Sequence, residues 1–181
     1  MTSANDSGAK QAQATTEREQ QLADATHFVR HRLKWLAPQI GPAVVFHVLG
    51  LGKLRHVMDD LPSARWELGP ALVDPYGVDL GALCVRYSVD GCELSDGAPG
   101  NPRVRASLLR NGGIELIPLF VIQDAGTPAV RVDGTELVNK FRRFITSSVG
   151  AYGRRQAAFP ASVHVSFIKL AGVPLEMPWA G

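Results

Sequence analysis

His47, His56 and His164, the cysteines Cys84 and Cys92, and Ser166 are the side chains whose types could carry proton transfer, metal binding or nucleophilic attack. Their spacing decides whether they do. His47 falls within the apolar run Ala43 to Leu51, His56 follows with Asp59 and Asp60 close by, and His164 lies in the last apolar stretch. Metal ligands and acid–base partners must converge to bonding distance. These histidines form no local motif, so chemistry requires two of them to meet in one pocket. Ser166 and His164 are two apart on an expected strand, where side chains project in parallel, and no Gly-x-Ser-x-Gly elbow surrounds the serine. A turn at Val89-Asp90-Gly91 sets Cys84 opposite about position 96, away from Cys92. Two such cysteines make neither a disulfide framework nor a zinc set, and no neighbouring histidine activates them. Asp59, Asp60, Glu67 and Glu93 contain no pair whose spacing requires a carboxylate dyad. Gly50-Leu51-Gly52-Lys53 lacks the spacing of a phosphate loop and the hydroxyl after its lysine. These residues argue against an enzyme, and none is expected to act as a catalytic residue, cofactor-binding group or metal ligand.

Charge leaves a second possibility open. Nineteen Lys and Arg against seventeen Asp and Glu give a net charge of +2, too small to argue for nucleic acid alone. Arg103, Arg105 and Arg110 surround one expected hairpin, and Arg142, Arg143, Arg154 and Arg155 lie in or just after the second helix. On one face, these two strips would hold phosphates without sequence specificity. Solvation of a strand face and stabilisation of helix C-termini account for the same residues. No ribonucleoprotein motif, helix-turn-helix signature or zinc finger appears.

The elements that must position these groups follow from periodicity. Met1 to Thr15 is poor in large apolar residues, which predicts a disordered tail over 1–15 and a single domain over 16–181. Thr16 with Glu19 has the spacing of a capping box. Leu22, Ala25, Val29, Leu33 and Leu36 then recur at helical spacing, with Trp35 beside them, up to Pro38. Ala43 to Leu51 reads as a buried strand, Ala82 to Ser88 and Cys92 to Leu94 as further strands. Arg110-Asn111-Gly112-Gly113 joins two apolar runs as a hairpin whose Asn-Gly pair suits a type I′ turn. Pro118 cannot donate a ladder hydrogen bond, which predicts an edge or bulged strand. Asp133 and Glu136 cap a second helix carrying Leu137, Phe141, Phe144, Ile145 and Val149. In the final strand, Ser162 to Leu170, alternation of Val163, Val165 and Phe167 with His164, Ser166 and Ile168 suggests one buried and one mixed face. The expected fold is α+β, a mainly antiparallel sheet of about six strands with two main amphipathic helices. No signal peptide or membrane-length apolar run is evident, which predicts a cytoplasmic protein that does not enter a membrane.

Leu22-Ala23-Asp24, Phe28 to Leu33, Gly41 to Val48, Tyr87 to Gly91, Leu108 to Glu115, the helix from Glu136 and the strand Val163 to Leu170 together resemble a bacterial family. That family is the region C-terminal to the AlbA-like domain in Schlafen-like, AlbA-domain ATP-binding proteins. The likeness covers roughly residues 20 to 173 and leaves out the AlbA-like domain, where such proteins carry their nucleotide-binding or nucleic-acid-binding residues. It therefore implies a detached companion domain serving a separate chain. The leading expectation is a non-enzymatic accessory or protein-interaction module, with a protein partner or self-association. Its candidate contact surfaces are the stripe of the first helix, the Pro118 strand and the tail containing Trp179. The alternative is a nonspecific nucleic-acid-binding protein using the two arginine strips.

Overall fold

The computed structural model describes residues 3–51, 68–69, 83–96, 104–118, 122–123, 130–154 and 160–176. Among them, a six-stranded antiparallel sheet lies between two helices. Helix α1 spans Ser3–Leu36 and α2 spans Gly134–Arg154. The strands are β1 (Ala43–Gly50), β2 (Cys84–Ser88), β3 (Gly91–Asp96), β4 (Val104–Leu109), β5 (Ile114–Pro118), β6 (Ile122–Gln123), β7 (Val130–Asp133), β8 (Ala161–Ile168) and β9 (Leu175–Glu176). The main sheet has the order β2-β3-β4-β5-β1-β8, and β6-β7-β9 form a small second sheet in which β7 and β9 run parallel. The expected α+β class and antiparallel sheet are present.

Alternation along the strands separates two cores. Val44, Phe46 and Val48 of β1, Ile114 and Leu116 of β5, and Ala106 and Leu108 of β4 face α2, where they pack with Phe144, Ala151 and Tyr152. Phe46 meets Phe141 edge-on at a ring separation of 5.2 Å. On the other face, Ala43, Val45, Ile117 and Ile168 pack with Leu36, while Leu49 and Leu51 pack with Ala25 and Val29. Both faces of β1 are therefore covered, which explains its unbroken apolar run.

Helix α1 begins well before Thr16, and the segment expected as a disordered tail is helical from Ser3. Thr16 is interior, its hydroxyl donating to the Ala12 carbonyl at 3.1 Å, so the expected capping box does not start this helix. Every residue from Lys10 to Asp24, Leu22 included, is exposed. This half is supported by local pairs such as Gln13 with Glu17 and Gln20 with Asp24. Ala, Lys and Gln between residues 9 and 14 are good helix formers, which makes this part of the extension compatible with a polar composition. The helix is anchored to the sheet from Ala25 onward.

Two local expectations are corrected. The β4–β5 hairpin is present, but the left-handed backbone conformation occurs at Gly112 (φ 80) and not at Asn111. The Gly112 N–H donates to the Leu109 carbonyl at 2.8 Å, giving a type I turn closed by a left-handed glycine. The Asn111 side-chain oxygen accepts from the Gly113 N–H at 2.9 Å, which holds Asn111 in this turn. The Pro118 strand, β5, lies inside the sheet between β4 and β1. Pro118 is its last residue, beyond the Leu116–Phe46 end of the β1 ladder, so the missing N–H interrupts no described β1–β5 pair.

Helix α2 starts as its sequence suggests: the Asp133 carboxylate accepts from the Glu136 N–H at 3.0 Å. Near its end, the buried Tyr152 hydroxyl lies 2.9 Å from the carbonyls of Val48 and Gly112, tying α2 to β1 and to the hairpin turn. Burial raises the pKa of that hydroxyl, keeping it a donor.

Candidate functional site

Register aligns one polar side chain from every strand of the main sheet. Arg86 pairs with Glu93, Glu93 with Ser107, Ser107 with Glu115, Glu115 with His47, and His47 with His164. The row crosses the sheet on the face that carries α1. Its centre is buried: His47 and Glu115 are fully enclosed. Arg32 reaches down from α1 and binds Glu115 in bidentate fashion, Nε to Oε2 at 3.0 Å and Nη2 to Oε1 at 3.1 Å. His47 Nε2 lies 3.1 Å from Oε2, and Ser107 Oγ donates to Oε1 at 3.4 Å. The Arg32 guanidinium also stacks 4.5 Å above the Trp35 ring.

The electrostatics favour anchoring over proton transfer. Burial alone would raise the Glu115 pKa, but hydrogen bonds from His47 and Arg32, together with their charges, outweigh it and hold the value at about 2. Such a carboxylate is a weak base, and both its oxygens are already engaged. His47 and His164 do meet across β1 and β8, yet His47 is enclosed in the sheet–helix layer. The His164 pKa is lowered by burial and then by the charge of His47, so its neutral form is favoured. His56, Asp59 and Asp60 lie outside the described residues. Among the described residues no cluster could hold a metal ion.

Cys84 pairs with Ser95, close to the expected register, and both cysteines are free. Burial, followed by the charge of Glu93, raises the Cys92 pKa, so this thiol stays protonated. Two open clefts border α1. One, of about 350 Å³, lies over β2–β4 against Arg32, Trp35, Arg86, Glu93 and Arg105. Another, of about 410 Å³, runs past Phe28, Asp90, Arg110 and Asn111. Arg105 Nε is 3.6 Å from Glu93, giving that wall both signs of charge.

The arginines considered for nucleic acid are divided between the two faces of the sheet. Arg105 pairs with Ile117, whose side chain packs under α1, and Arg110 stands at the hairpin tip beside that helix. Arg142, Arg143 and Arg154 are exposed on α2, which covers the opposite face. Arg103 and Arg155 lie outside the described residues, as does Trp179.

Among the described residues, a row of three exposed apolar side chains lies at the sheet edge formed by β8. Val163, Val165 and Phe167, expected to form a buried face, are 46%, 43% and 60% exposed. They point to the α2 side, since Val165 and Phe167 pair with Phe46 and Val44. As the outermost strand, β8 extends past the cover that α2 gives to β1. Among the described residues, its main-sheet partner is β1 alone. Alternating hydrogen bonds dictate what its other side presents. Leu51 N–H bonds the Pro160 carbonyl, so residues 162, 164, 166 and 168 direct their backbone groups toward β1. Residues 163, 165 and 167 direct theirs outward. Among the described residues, no helix is long and apolar enough to cross a membrane. Comparison of the chain with protein-family models, curated proteins and solved structures found no match.

Proposed function

We propose that this chain is a non-enzymatic protein-interaction module that accepts an extended strand along β8. One observation carries the reading: the same three residues, Val163, Val165 and Phe167, present exposed apolar side chains and outward-facing backbone groups. Sheet edges are ordinarily protected by charge, proline or a bulge. From Ala161 to Ile168, β8 contains neither proline nor Asp, Glu, Lys or Arg, and its pairing with β1 runs unbroken for the full length. An added strand would gain main-chain hydrogen bonds and an apolar row for alternate side chains. The sequence resemblance to a companion domain of AlbA-domain proteins would make that role an accessory one in the bacterial cytoplasm, which is part of the proposal. Division of the arginines between opposite faces weighs against a single phosphate-binding strip.

The test is a titration of isotopically labelled protein, at low micromolar concentration, with eight-residue peptides of alternating apolar pattern. The expected result is amide shift changes concentrated at Val163, Val165 and Phe167. Changes absent from β8 at millimolar peptide would overturn the reading.

A further inference from the structure

We propose that the strand seated on β8 is β8 of a second copy of this chain, so that two sheets join across a two-fold axis at Val165. This rests on the strand-acceptor reading and names its occupant. An isologous contact requires a surface complementary to itself, and β8 meets that requirement in register, in side-chain size and in charge.

With Val165 opposite its own symmetry mate, Val163 lies opposite Phe167. All three residues belong to the outward-bonding set, so the N–H and C=O of each find partners in the same antiparallel ladder. A shift by one residue would instead oppose backbone groups already committed to β1. The side chains on the α2 face then form a continuous apolar row: Phe167 against Val163, Val165 against Val165, and Val163 against Phe167. Each small side chain at one end meets the large one at the other. On the opposite face, His164, whose Nε2 lies 3.2 Å from Ser162 Oγ of its own strand, lies across from the small hydroxyl side chain of Ser166.

Charge allows the approach. The strand carries no Asp, Glu, Lys or Arg, so no like charges face each other across the axis. The cation that follows it, Lys169, is drawn back onto its own body, where Nζ donates to the Ile40 carbonyl at 2.8 Å. Lys169 also has φ 54, which ends the extended conformation directly after β8. The ladder is thereby limited to the uncharged segment. The opposite edge, β2, differs: it contains Arg86, and its self-pairing would bring two such cations to the same short strand.

Light scattering on the full chain over a concentration series tests the proposal. The expected mass at high micromolar concentration is twice the 19.5 kDa of the chain. Val165→Lys places two cations on the axis and is expected to yield a monomer with an unchanged circular dichroism spectrum. Val165→Pro removes an outward N–H without touching a β1 bond and is a second route to the monomer, useful if either variant folds poorly. Val165→Cys, in a Cys84→Ser, Cys92→Ala background, is expected to link to itself with a short bifunctional thiol reagent. Val149→Cys on α2, in the same background, is not. A monomeric wild type, or a dimer that persists in folded Val165→Lys, would overturn the second-copy assignment. A monomer that still binds strand peptides at β8 would leave the interaction reading standing, whereas failure of both would remove it.

Discussion

At the scale of single residues, Arg32 and Glu115 decide how α1 sits on the sheet. Their bidentate pair joins the two layers around a fully enclosed carboxylate, and the guanidinium stacks on the Trp35 ring. Arg32→Ala leaves a buried carboxylate short of its main counter-charge, and is expected to cost about 3–5 kcal/mol in denaturant unfolding. Replacing Arg32, His47 and Glu115 together by apolar residues of similar volume is expected to recover most of that loss, because no charge is then left buried. Acid gives a separate check. The folded Glu115 pKa of about 2 lies below its ordinary 4.5. Its contribution is therefore complete above pH 4.5 and is lost as pH falls toward 2. Unfolding free energy should drop through that window, and Glu115→Gln should flatten the part of the drop that this residue causes. The cluster leaves partial traces in the sequence. His47 and Glu115 each interrupt an apolar run, a signal that a polar group inside the fold needs partners. Their meeting depends on β5 lying beside β1, a strand order that periodicity does not contain. In the sequence Arg32 is one of several cations near a helix end, and only the placement of α1 over Glu115 singles it out.

At the scale of elements, local chemistry is most legible where it is self-contained. Asp133 and Glu136 announce the start of α2, and Asp133 caps it as its spacing suggests. Asp133→Ala is expected to lower stability by about 1 kcal/mol, read from the thermal midpoint, while Asp133→Ser retains most of it. The Asn-Gly hairpin is legible as a hairpin but not as a turn type, because the Asn111 side chain bonds Gly113 and selects a conformation that a dipeptide rule does not weigh. Pro118 and β8 mislead for one shared reason. A proline at the end of a central strand and an alternating pattern on an edge strand look like their opposites until the sheet order is known. The extended α1 shows the converse: composition argues against order before Thr16, and helix propensity carries the helix outward without a core to cover it.

At the scale of the whole molecule, the structure is asymmetric across its sheet. The centre, β5 and β1, is covered on both faces, one side by α2 and the other by α1 with its ionic anchor. The two edges differ in kind. Beside α1, β2–β4 border a cleft lined by Arg86, Glu93 and Arg105 together with Trp35 and Tyr87, and at the far end β8 presents an uncharged apolar row with outward-facing backbone groups. The proposed strand pairing uses that edge, so the most direct measurement is amide exchange at Val163, Val165 and Phe167 as protein concentration is raised. Protection at these three amides should grow with concentration and disappear in Val165→Lys, while amides at 162, 164 and 166 stay protected in both. Exchange at the three outward amides that remains fast and independent of concentration would contradict it.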